Sequence, residues 1–151
     1  MKSEQLQPVP VETFLYPRNF KEKIPFVNSE CEFQPSGWAK IEDKFYPLGY
    51  KIVTTELKSL GLRNNPNIMT FPIGEWVRLP DDQVTVGNTH WSGWGGIWMA
   101  LRRGSIPTYR NYMMEKYQIK TRAFLTAMDR PLFANNDRVK SQGVMLLEEI
   151  L

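Results

Sequence analysis

Proline sets the terms for the first third of this chain. Pro8, Pro10, Pro17, Pro25, Pro35 and Pro47 are six of the eleven prolines in 151 residues. Each removes a backbone donor and biases the residue before it toward extended conformations. Residues 1–47 therefore read as an extended arm with short strand-like pieces, not as helices. The arm also carries Phe14, Tyr16, Phe20, Phe26, Phe33, Trp38 and Phe45. So many aromatic side chains are out of place in a solvated tail. The arm is expected to lie across the domain or across a partner, a second copy of the chain included.

From Leu48 the pattern becomes that of a folded domain, 48–151. Gly49 to Thr54 alternates and is β-branched, which predicts a strand. Thr54 or Thr55 is placed to cap a short helical turn over 56–60, ended by Gly61. A second strand is expected over 74–79. A third and more buried one covers 95–101, entered through Trp91-Ser92-Gly93-Trp94-Gly95-Gly96. One main helix follows, about 105–117, with Ser105 as N-cap and Pro107 in its first turn. Ile106, Tyr109, Met113 and Tyr117 fall on one face of it as core packing. A strand is expected at 121–128, and 144–150 reads as a terminal strand in preference to a short helix, because Gly143 precedes it and no cap is evident. A single long crossover does not suit a doubly wound parallel sheet. The expected fold is α+β, one domain with a twisted, mostly antiparallel sheet.

The inventory of reactive side chains is poor. One Cys cannot form an internal disulfide, and one Cys with one His cannot build a Cys/His zinc site. Any imidazole chemistry must use His90, which reads as a solvated loop residue. Cys31 lies between Glu30 and Glu32, which would raise its thiol pKa. No apolar signal segment or membrane span is visible, so the cytoplasm is the expected compartment, with no membrane partner. The glycine-rich segment runs into a strand rather than from a strand into a helix, so neither phosphate-loop geometry fits. Its glycines imply a close approach of packed chain or of a flat ligand.

Charge is unevenly placed. Residues 1–100 hold 10 basic and 11 acidic side chains, whereas 101–151 hold 9 basic and 5 acidic. The excess comes from Arg102, Arg103, Arg110, Lys116, Lys120, Arg122, Arg130, Arg138 and Lys140. Basic residues interleaved with aromatics suit an acidic protein surface or a single-stranded nucleic acid. One reading is therefore a small binding or accessory protein that needs no cofactor. Its partner, protein or nucleic acid, would meet Trp91, Trp94, Arg102, Arg103 and Arg110.

A different class is also open. Gly95-Gly96-Ile97-Trp98-Met99-Ala100, followed by a Ser-led helix with Tyr109 and Tyr112, resembles a segment of ADP-ribosyltransferases of the diphtheria-toxin and poly-ADP-ribose polymerase branch. The resemblance implies an NAD pocket lined by Tyr50, Gly96, Trp98, Ser105 and Tyr109, with Trp98 stacking on nicotinamide. It implies Glu149 or Glu148 as the carboxylate that stabilises an oxocarbenium-like ribose. Lys51 would stand where that branch carries a strand histidine, and there it would grip a phosphate.

Overall fold

Alternating apolar side chains carry about half of the described residues into strands, and a computed structural model of the protein shows how they pair. It describes residues 11–15, 35, 37–61, 68–85, 95–135 and 137–150. In chain order these form β1 (Val11–Leu15), β2 (Gly37–Ile41), β3 (Lys44–Thr54), β4 (Val77–Arg78), β5 (Ile97–Ala100), α1 (Ile106–Tyr117), β6 (Thr121–Ala134) and β7 (Arg138–Ile150). All strand–strand pairings are antiparallel, apart from an isolated parallel bridge between Ile73 and Leu146. The α+β class with a mostly antiparallel sheet and one main helix is what the sequence led us to expect.

Strand β3 is the hub. Its first residues pair with β2 across the Glu42-Asp43 turn, where Glu42 takes a φ of 58°. Its later residues, Leu48 to Thr54, pair with β6, while Tyr50 also lies opposite Ala100 of β5. Strand β5 in turn pairs with β7, and β7 with β6. The four strands β3, β6, β7 and β5 thus form a closed circuit of neighbours. Packing on both faces of the sheet follows from the period-two alternation of side chains. Val53, Ile97, Met99, Phe124, Met128, Val139 and Val144 cluster on one face, closed over by Phe71. Tyr50, Ile52, Ala100 and Ala123 meet Ile106 of α1 on the other.

Several local features depart from the sequence reading. The boundary drawn at 47/48 falls inside β3, and Trp38, Ala39 and Ile41 of β2 are buried. The end of the proline-rich stretch is therefore sheet. Pro47 tolerates this because Trp38 is the last β2 residue paired with β3 there. Residues 55–60 form a turn rather than a helical segment, although the Thr54 hydroxyl does accept from the Glu56 and Lys58 amides at 3.3 and 3.0 Å. The 74–79 strand shortens to Val77–Arg78. Ser105 makes no side-chain cap, because Arg103–Ser105 is already a 3-10 turn and Ser105 has helical dihedrals. Tyr117 is exposed rather than core, standing on the last helical residue. The 144–150 segment is strand, the end of β7.

Helix α1 ends where Gln118 adopts the left-handed region at φ 56°. The Gln118 and Ile119 amides donate back to the carbonyls of Met114 and Met113 at 3.0 and 3.2 Å. This cap satisfies the last carbonyls and turns the chain sharply into β6. Strand β6 also carries Pro131, which is tolerated because the register slips there. Pro131 faces Ser141 and Phe133 faces Lys140, so Leu132 is the extra residue of a bulge.

Candidate functional site: a basic groove beside the helix

The sharp turn at Gln118 has a direct consequence for the surface. It folds Ile119, Lys120 and Thr121 back against the flank of α1, and a groove of about 650 Å³ opens between them. The strand ends supply Thr55 after β3, Thr121 at the start of β6 and Ile150 at the end of β7. Helix and 3-10 turn supply Arg103, Ile106, Pro107, Arg110, Asn111 and Met114. Among the described residues, three of the lining side chains are cationic and none is acidic. A carboxylate near enough to act on Arg110, that of Glu149, is already engaged by Arg122. Arg122 grips it with two hydrogen bonds, 2.9 Å from Nε and 2.7 Å from Nη2. That grip, with the positive field of Arg110 behind it, holds the Glu149 carboxyl below its ordinary range.

Arg110 is fixed in the groove wall. Its Nη2 donates to the Thr121 carbonyl at 2.8 Å and its Nε to the Thr121 hydroxyl at 3.3 Å. Arg103 and Lys120 are exposed. The floor is aliphatic, from buried Ile106 to half-buried Ile119 and Ile150.

Arg103 and Arg110 both line the groove. Arg102 is exposed but stands outside the groove lining. Trp91 and Trp94, with His90, lie outside the described residues. Lys120 was visible in the sequence only as one member of a charge excess. Nothing in the sequence placed it opposite Arg103, because the left-handed cap at Gln118 makes that juxtaposition.

The residues of the NAD reading are divided among several surroundings, with Lys51 against Trp98 and Tyr50 beside Tyr109. Lys51 is only 9% exposed, and its Nζ donates to the Trp98 carbonyl at 3.0 Å, with the Phe71 ring 5.2 Å away. Burial pushes its amine pKa down to about 8. Tyr50 and Tyr109 do meet, in the core beneath α1. Ser105 precedes that helix. Trp98 is packed by Phe133 edge-on at 6.0 Å, and the Arg138 guanidinium lies 4.5 Å from its ring. Its indole N–H is buried without a hydrogen-bond partner.

Gly96 lies close against packed chain, since a Cβ there would fall 2.2 Å from Cγ of Lys140. Lys140 is fully buried, with its ammonium 5.9 Å from the Trp98 ring, and desolvation lowers its pKa to about 8. Glu148 is exposed and Glu149 is tied to Arg122. Lys51 and Glu149 share a face, both in register with Phe124, yet the polar ends are spent on different partners.

Among the described residues, no three His, Cys, Asp or Glu side chains come together in a way that would hold a metal ion. No helix among them is long and apolar enough to cross a membrane. Comparison with known proteins gives no match: no family model fits the chain, and no characterised protein or solved structure is significantly similar to it.

Proposed function

We propose that the protein is a binding module that holds an acidic macromolecular partner in the groove between α1 and the start of β6. The observation that carries this reading is the convergence of Arg103, Arg110 and Lys120 on one aliphatic-floored groove with no carboxylate in its lining. Cations so placed attract anions at long range and orient them at short range, and salt weakens both effects. Arg110, held by Thr121, contributes a preorganised guanidinium, while Arg103 and Lys120 supply adjustable charge at the rim. A binding role also agrees with the way Lys51, Trp98 and Glu149 are each engaged by their own neighbours.

The test is fluorescence anisotropy with labelled polyglutamate and with single-stranded oligothymidylate, at low and at raised salt. At least one polyanion is expected to bind and to weaken as salt rises. The charge-reversed variant Arg103→Glu with Lys120→Glu is expected to lose that binding by tenfold or more, about 1.4 kcal/mol. Absence of binding to both, or equal binding by the reversed variant, overturns the reading.

A further inference from the structure

We infer that the partner taken by this groove is a peptide segment in which carboxylates alternate with aliphatic side chains, rather than a nucleic-acid strand. The inference rests on the binding reading above and concerns the floor of the groove rather than its charge. Ile106, Pro107, Met114, Ile119 and Ile150 make that floor, and among the described residues no aromatic ring lines it. Single-stranded nucleic acid depends on aromatic platforms on which its bases stack. The nearby exposed rings do not provide one. Tyr112 and Tyr117 pack edge-on against each other at 6.0 Å, and neither lines the groove. Lys116 lies over both rings, at 5.4 and 5.6 Å.

The floor suits aliphatic side chains for three reasons. Ile106 is buried and rigid, and with Ile119 and Ile150 it offers a surface whose release of water favours another aliphatic group. Met114, 42% exposed, is unbranched and polarisable, and it can mould to side chains of different shape. The volume lies in the range of ordinary ligand pockets. Above the floor, Arg103, Arg110 and Lys120 match carboxylates. Asn111 at the rim carries both a donor and an acceptor, which a peptide backbone can use and a phosphodiester, lacking donors, can use only by half.

The deciding experiment titrates the full chain with three labelled probes of equal length: a peptide of alternating glutamate and leucine, one of alternating glutamate and serine, and oligothymidylate. The glutamate–leucine peptide is expected to bind about tenfold more tightly than either of the others, the gain of burying leucine side chains. Met114→Ser, an exposed change that leaves the fold intact by circular dichroism, is expected to weaken that peptide alone. Arg103→Glu with Lys120→Glu is expected to abolish binding of every probe. If the glutamate–serine peptide binds as well as the glutamate–leucine peptide, the floor is unused and the inference fails while the binding reading stands. Tighter binding of oligothymidylate has the same consequence and makes the partner nucleic acid. If no probe binds, both readings fall together.

Discussion

Lys51 and Lys140 lie inside the sheet, whereas Arg103 and Lys120 stand on the rim of the groove, and the contrast shows what the fold does with positive charge. Inside, desolvation dominates. Both amines are pushed down to about 8 by burial. The stems do the useful work there: that of Lys140 fills the space left by Gly96, and the Lys51 ammonium serves the Trp98 carbonyl. At the rim the cations remain in water, where they cost the fold little and are available to an anion. Core lysines are therefore a matter of stability, and under the proposed function the groove cations are a matter of recognition.

Three changes test that division. The largest effect is expected from Phe124→Ala. Phe124 is fully buried and lies in register between Lys51 and Glu149. Its truncation should cost about 3–5 kcal/mol in urea unfolding, since the cavity cannot collapse within a sheet. A loss below 1 kcal/mol would mean that this face is not a packed core.

Lys51→Met comes next. The folded amine has a pKa near 8 and the unfolded one near 10.5, so between those values the unfolded chain binds the extra proton. Stability should therefore rise as pH increases from about 8 to 10.5, and the full cost of a buried ammonium should be present below 8. Removing the amine should raise stability at pH 7 by about 1–4 kcal/mol, less the lost hydrogen bond to Trp98. The advantage should shrink as pH climbs. A constant difference between variant and parent across pH 7–10.5 would contradict the assignment.

The smallest effect belongs to Glu149→Gln at the Arg122 pair, which is one-third exposed on both sides. Because the folded carboxyl titrates below its ordinary 4.5, its contribution is present above that value and is lost as pH falls through the lowered one. The variant's urea midpoint should lie slightly below the parent's at neutral pH, with the gap closing in acid and in high salt. A gap that persists under both conditions would point to packing rather than charge.

The fold was largely legible in the chain, and the groove was not. Alternation and β-branching marked the strand at Gly49–Thr54, and the Ser105-Ile106-Pro107 sequence marked the start of α1, although the 3-10 turn removed Ser105 from its capping role. The strand nature of 144–150 also followed from its apolar run. Proline density misled at one place, since Pro47 sits inside β3 where pairing passes from β2 to β6. The groove was hidden for another reason. Arg103, Arg110 and Lys120 are separated in sequence and meet only because Gln118 turns left-handed, a position where the residue itself gives no warning. Tyr50, Trp98 and Glu149 form a set only through the resemblance to ADP-ribosyltransferases. Their partners, Ala100, Lys140 and Phe124 across the strands, were set by register, which alternation alone does not fix.

The circuit of β3, β6, β7 and β5 also bears on how a partner can approach. Strands with neighbours on both sides have few amides and carbonyls left to offer. Among the described residues the margins of the sheet are β1, five residues long, and β4, only two. Short margins guard against stacking with other chains and leave little template for an added strand. Under the proposed function, a partner would thus be met through side chains, its specificity written in charge and shape rather than in backbone ladders.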